Sequence, residues 1–471
     1  MAKVAIVGGG VAGVSSALIL SQLGVDITLF EANNSLVCGP PFCHLHAGGN
    51  LYPDITDKER VQLLKESIEF AQYYPFCIDK RPTVIAYPKR FSQKVQNFLP
   101  TLDMLTDEYK KLVEQNSQDA ILGDWKEYYK LYSKTELKDL AKQEPKQTPK
   151  NSDEWLIPFA KYTNLETLQY PVIVVQEYGL NMFKLSAGAE LILNSLSSVE
   201  LNLNTEVNSI ERVDAKYAVS YTNGQEKQTK EFDFLINAAG FRSGYIDDML
   251  GFHKERMVEF KAAYITNWDC NVKFPEIIFH GERGSSEGMA QFTPYPANYF
   301  QLHGMSKDVT LYQNGLAKTT ANSAQPKLEQ SFIDKIERGW SQSELEHRTK
   351  KAISHMGFFI PKFAKEAKVA AKPLYGAQQI PGCNISLRGA EVEFVGNYAR
   401  CEIVKVSSAI TMAKEIAKEL KNLNLSQREF TKNLTHLESI NADVLTKLSE
   451  KIAQDRAYPK EVADTVNKEH L

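Results

Sequence analysis

The chain has 471 residues, 43% of them hydrophobic and 24% charged, with a formal net charge of -3. That balance is ordinary for a folded globular protein, excludes wholesale disorder and gives no electrostatic case for nucleic acid as a partner. At about 150 residues per domain the length predicts about three structural units, and six cysteines are too few for a disulfide scaffold.

The start, Met1 to Val7, runs straight into a strand and lacks the basic region, apolar stretch and cleavage site of a secretory signal. There is no uninterrupted run of about 18 apolar residues, so no membrane-spanning helix is expected and the expected location is cytoplasmic. Val4–Val7 is a short, mostly β-branched run, followed by Gly8-Gly9-Gly10-Val11-Ala12-Gly13. Val14, Ala17, Leu18 and Ser21 then recur at helical spacing up to Gly24. Val25, Ile27 and Leu29 form a second strand that Glu31 closes. A Gly8-x-Gly10-x-x-Gly13 turn between strand and helix suits a dinucleotide pyrophosphate. Gly8 allows the tight turn, Gly10 lets backbone approach the phosphates at the helix N-terminus, and Gly13 lets helix and strand pack closely. Gly8, Gly10, Val11, Ala12 and Gly13 are therefore predicted to bind a nucleotide cofactor, with Glu31 on its ribose.

Further on, Pro82–Tyr87 reads as a strand and Lys110–Leu140 as helical, with Lys146–Asp153 a linker. Pro171–Val175 is strand-like and Met182–Leu196 helical. Strands are predicted over Leu201–Val207, Ala218–Tyr221 and Phe232–Ile236, with Asn223-Gly224 a hairpin turn. Phe260–Tyr312 and Pro373–Val395 are again strand-rich. Ile410, Ala413, Ala417 and Leu420 mark one face of a helix, and a polar, helix-prone tail follows. The order predicts an α/β (α+β overall) protein with a Rossmann-like domain in three pieces, 1–80, 171–255 and 371–425. A discontinuous mixed-sheet substrate domain, 81–170 and 256–370, is interleaved with it, and 426–471 forms a helical tail. That tail has no pronounced basic face, so membrane contact is expected to be peripheral at most.

Four stretches resemble the D-amino-acid-oxidase-like FAD-dependent oxidoreductases: Val4–Glu31, His46–Pro53, Phe232–Gly240, and Val395-Gly396-Asn397 with the helix from Ser407. The resemblance implies FAD as cofactor. It also implies flavin or pyrophosphate contacts at Ala47, Gly48, Val207, Ala239, Gly240, Gly396, Val404, Lys405 and Val406. His46-Ala47-Gly48 with Tyr52-Pro53 is further similar to the branch that oxidises 2-hydroxy acids, such as malate and 2-hydroxyglutarate dehydrogenases that reduce quinone. Two departures stand out. Gln378 occupies the place of the family's carboxylate-gripping Arg, and the last loop reads Arg400–Val406 without the usual glycines. An amide cannot supply a forked, charged contact. Arg400, Arg388 and Lys405 are the nearest cations to replace it, with Arg400 first.

Cys38, Cys43, His44 and His46 lie on one short segment. No second ligand pair at zinc-finger spacing follows, so no metal is expected. A covalent flavin bond through Cys43, His44 or His46 is one reading. The preferred one is that they line the pocket, with His44 or His46 a catalytic base. Gln291–His303 is predicted to roof the flavin, with Tyr295, Tyr299 or His303 near substrate and Tyr299 counted among the catalytic residues. The expected activity is oxidation of a small 2-hydroxy acid by hydride transfer to flavin N5, with quinone or oxygen as electron acceptor. The alternatives are an amine or amino-acid oxidase and a flavin-binding sensor or assembly protein without turnover.

Overall fold

Strand Lys3–Val7 lies parallel between Asp26–Phe30 and Phe234–Asn237, and its continuous apolar run reflects cover on both faces. The computed structural model describes residues 1–50, 52, 55–385 and 390–467. Val199–Asn202 and Tyr398–Ile403 extend this sheet in parallel on either side, and Ala390–Val395 closes one edge antiparallel. Segments far apart in sequence thus build one Rossmann-like sheet. Helix Val11–Leu20 leaves the first strand through the glycine turn. It is buried over nearly its whole length and passes into a 3-10 turn, Ser21–Leu23, that ends at Gly24, whose φ of 71° suits a residue without a Cβ.

A ten-stranded mixed sheet faces the Rossmann sheet. Its strands run in the order Leu316–Lys318, Arg256–Asn267, Tyr299–Gly304, Ala290–Pro294, Glu276–Phe279, Thr83–Ala86, Val172–Val175 and Tyr129–Tyr132. Leu374–Pro381 and Lys368–Val369 pair along Arg256–Asn267. A three-stranded meander, Thr205–Val213, Lys216–Asn223 and Glu226–Phe232, carries the predicted Asn223-Gly224 hairpin turn.

Two local expectations are corrected. Lys110–Leu140 is not one helical stretch. Helix Leu99–Gln115 ends, two short 3-10 turns follow, and Tyr129–Tyr132 is a strand paired with Val172–Val175 before a capped helix, Lys134–Leu140. Tertiary pairing overrides the local pattern here, because Tyr128 and Tyr132 are buried against neighbouring elements. Leu201–Val207 is two strands rather than one. Asn204, at φ 51°, turns the chain from the Rossmann sheet into the meander. The tail packs onto the body: helix Ala442–Asp455 lies on helix Met182–Ser195, and Arg456 donates to the carbonyls of Leu36 and Val37. No helix among the described residues is long and apolar enough to cross a membrane.

Candidate active site

A cavity of about 610 Å³ opens where the C-terminal ends of the Rossmann strands meet the ten-stranded sheet, the usual ligand crevice of such folds. Its floor is chain that leaves three parallel strands: Gly10–Ala12, Ala238 with Gly240, and Ile403–Val406. Its roof is Lys261, Gln291, Gln301 and His303.

The glycine turn has the shape of a phosphate cradle. A Cβ on Gly13 would lie 1.9 Å from the Gly8 carbonyl oxygen, and one on Gly8 would lie 2.4 Å from that of Ala238. Gly10 caps the helix with no side-chain partner and nothing within 4 Å of where its Cβ would be. The first N–H groups of the helix are thus open to an anion. Glu31 is buried; it accepts the Gly9 N–H at 2.7 Å and the Asn33 N–H at 2.8 Å. Its carboxylate keeps lone pairs for a ribose hydroxyl. These features fit a dinucleotide with its pyrophosphate on the helix and its redox ring in the cavity.

Segment Cys43–Leu45 runs antiparallel to Tyr178–Leu180, bridged at His44 and Gly179. This brings Glu177, 0% exposed, to 2.6 Å from His44 Nε2, with the contact off the hydrogen-bond axis. His46 Nδ1 is 4.0 Å from the same carboxylate oxygen, and Asn50 Nδ2 donates to the other at 2.7 Å. Ligand atoms of His44, His46 and Glu177 all fall within 4.8 Å of one another. Two ligands of one tetrahedral ion with bonds of about 2.1 Å sit about 3.4 Å apart. The 2.6 Å spacing of His44 and Glu177 is shorter than that, although neither of the two atoms completes a hydrogen bond. His46 adopts φ 60°, a conformation uncommon for a side chain with a Cβ, and lines the cavity at 16% exposure. Tyr52 packs on its ring at 5.3 Å, and Lys405 Nζ donates to the Tyr52 hydroxyl.

Three cations line the cavity among the described residues: Lys261, Arg283 and Lys405. Glu259 holds two of them, pairing with Lys261 at 3.3 Å and with Arg283. Burial, with Lys261, Arg283 and Lys405 nearby, pushes His303 down to about 3. Burial likewise pushes His280 down to about 4, so both imidazoles are neutral near pH 7. Cys43 is buried at the cavity wall, and burial with the nearby Glu276 carboxylate pushes its thiol up to about 12. A thiol so held is a poor nucleophile at neutral pH.

The predicted residues divide accordingly. His44, His46, Gly10, Val11, Ala12, Gly240, Val404, Lys405 and Val406 meet at the cavity. Gly8, Gly13, Glu31 and Ala239 shape the turn beside it, and Val207 follows Thr205, whose N–H donates to the Glu31 carbonyl. Ala47 and Gly48 stand behind His46. The Ala47 carbonyl accepts from Tyr128 at 3.0 Å, and a Cβ on Gly48 would lie 2.7 Å from that hydroxyl. Gly396 is a correction, because the Val395–Tyr398 turn sits at the N-terminal end of the parallel strands, opposite the cavity. Arg400 is another. Its guanidinium is buried and committed to Asp247, at 2.7 and 2.9 Å, and to Glu393 at 2.9 Å. Tyr299 lies outside the cavity lining, packed toward the tail in a cluster with Met182 and Leu445. Gln378 donates to the Val404 carbonyl at 2.9 Å and so braces the cavity loop. Arg388 and Pro53 lie outside the described residues. Glu177, Lys261 and Arg283 escaped sequence reasoning. Glu177 lies two residues past the buried run Val172–Val175, but its contact with His44 depends on a bridge that no local pattern encodes.

A family model described as FAD dependent oxidoreductase matches residues 3–343. The chain belongs to that family, and it is a flavoenzyme that uses FAD. A search of curated proteins finds no match. Among solved structures, an FAD-bound L-alpha-glycerophosphate oxidase from Mycoplasma pneumoniae aligns at 16% identity and TM-score 0.59, covering 93% of this chain and 98% of that one. Glycine oxidase from Geobacillus kaustophilus aligns at 10% identity and TM-score 0.56, covering 92% and 100%. Glycerol-3-phosphate dehydrogenase from Bacillus halodurans, complexed with FAD, aligns at 12% identity and TM-score 0.55, covering 98% and 73%. At these identities the likeness is one of fold.

Proposed function

We propose that this flavoenzyme oxidises a small 2-hydroxy acid. One observation carries the reading: an imidazole pair backed by a buried carboxylate shares a single cavity with Lys261, Arg283 and Lys405. A 2-hydroxy acid needs both parts, a base for its hydroxyl proton and cations for its carboxylate. Bound FAD supplies the hydride acceptor at flavin N5. His46, at the cavity surface, takes the hydroxyl proton as the substrate C–H bond breaks. The Glu177 carboxylate, held by Asn50 and contacted by His44, stabilises the resulting imidazolium. The amides at the start of helix Val11–Leu20 hold the pyrophosphate, and Glu31 the ribose. Lys261 and Arg283, paired through Glu259, orient the carboxylate, with Lys405 opposite on Tyr52.

An anion is favoured over an ammonium by a small margin of charge, with Lys261, Arg283 and Lys405 set against Glu282 in the lining and Glu259 paired to two of them. Anaerobic titration of the yellow protein tests the proposal. Bleaching by 2-hydroxy acids but not by amino acids or amines supports it. Bleaching by glycerol 3-phosphate alone would keep the anion site and reject the carboxylate.

A further inference from the structure

Behind the Cys43 side of the cavity runs a line of buried polar side chains that the proposed reaction does not use. At its outer end Asp79 accepts the backbone N–H groups of Val466 and Asn467, each at 3.0 Å. Arg81 donates Nε to Asp79 at 3.1 Å and Nη1 to Glu276. The other oxygen of Glu276 accepts Gln291 Nε2 and Thr293 Oγ1, each at 2.6 Å. Gln291 Nε2 is also 3.1 Å from Cys43 Sγ, in the cavity wall. The Arg81 guanidinium lies against Gly179, where a Cβ would come within 2.5 Å of Nη2. Gly179 is the residue bridged to His44. The segment Val462–Asn467 is itself docked. Asn181 Nδ2 donates to the carbonyls of Val462 and Asp464, each at 3.0 Å, and Lys184 pairs with Asp464 at 2.8 Å.

A buried ionic line of this kind is a weak source of stability, because desolvation offsets much of the attraction. Its directional contacts fix geometry. We infer that the docked segment Val462–Asn467, acting through Asp79, Arg81 and Glu276, positions Cys43 and His44 in the wall of the site. The three charged side chains are positioning residues that touch neither substrate nor cofactor. The inference rests on the cavity being the flavin site.

Two variants of the holoprotein test it: Arg81→Lys, which keeps the charge and loses the fork, and a chain ending at Asp464, which removes both N–H donors to Asp79. Each is expected to keep one FAD per chain, to alter the visible flavin spectrum, and to lower turnover about tenfold or more. Combined, their effects should fall short of additive, because both break one line. Where the shortened chain does not fold, Arg81→Lys decides alone. Unchanged flavin spectra, or fully additive losses, overturn the inference. His46→Ala serves as the control. If it moves the spectrum while the other variants do not, the positioning line is rejected and the cavity assignment stands. If none moves it, both fall. A moved spectrum in protein that no 2-hydroxy acid bleaches leaves the line intact and rejects the substrate.

Discussion

Replacing Glu177 with Gln removes one buried charge at almost constant shape. The Gln oxygen can still accept from Asn50, whose Nδ2 now sits 2.7 Å from a carboxylate oxygen. What is lost is the charge 4.0 Å from His46 Nδ1. At that separation, with an effective dielectric of about 20, two unit charges interact by about 4 kcal/mol. Because His46 keeps some contact with water, about 2–4 kcal/mol of imidazolium stabilisation is at stake, or roughly 30- to 1,000-fold in rate. The assay is single-turnover flavin reduction by the best 2-hydroxy acid under anaerobic conditions. Glu177→Gln should slow the reduction step by that factor while FAD content stays at one per chain. A change of less than about twofold would mean that no proton moves to His46 in the slow step, and the role given to Glu177 would be wrong.

Lys261→Met should raise KM for the carboxylate about 10- to 100-fold, the loss of one charge-assisted contact of about 1.5–3 kcal/mol, and a steady-state titration reads it. Arg400→Ala should leave KM unchanged and instead cost about 3–5 kcal/mol of stability, because it strands part of a buried ion network; thermal melting separates the two outcomes. His280 predicts an acid-labile fold. Its folded-state value, about 4, lies below the ordinary 6.5, so the unfolded chain binds the extra proton first. Stability should therefore fall as pH drops from about 6.5 to 4, by about 3 kcal/mol from this group, and His280→Gln should flatten that part of the melting-against-pH curve.

The geometry of the glycine turn was legible because it is local. Gly8 and Gly13 are dictated by close backbone approach within one turn, Gly10 leaves the helix N-terminus open, and Glu31 follows at the end of the next strand. His44 and His46 were legible as a dense polar cluster between apolar segments. The rest of the cavity was not, because Glu177, Lys261 and Arg283 come from different strands and loops, and sheet pairing alone brings them around one cavity. Arg400 misled for the opposite reason. It lies on the strand that leads to the cavity loop, yet Asp247, more than 150 residues away in sequence, had already claimed its guanidinium. Gly396 misled by its nearness in sequence to that loop, although the strand between them carries it to the far end of the sheet.

The most direct test of the account is an anaerobic screen of the purified FAD-loaded protein against 2-hydroxy acids, amino acids and amines, followed by flavin absorbance. Rapid bleaching by a 2-hydroxy acid, lost in His46→Ala and slowed in Lys261→Met, is the predicted result. Bleaching by an amine or amino acid with the 2-hydroxy acids inert would contradict it.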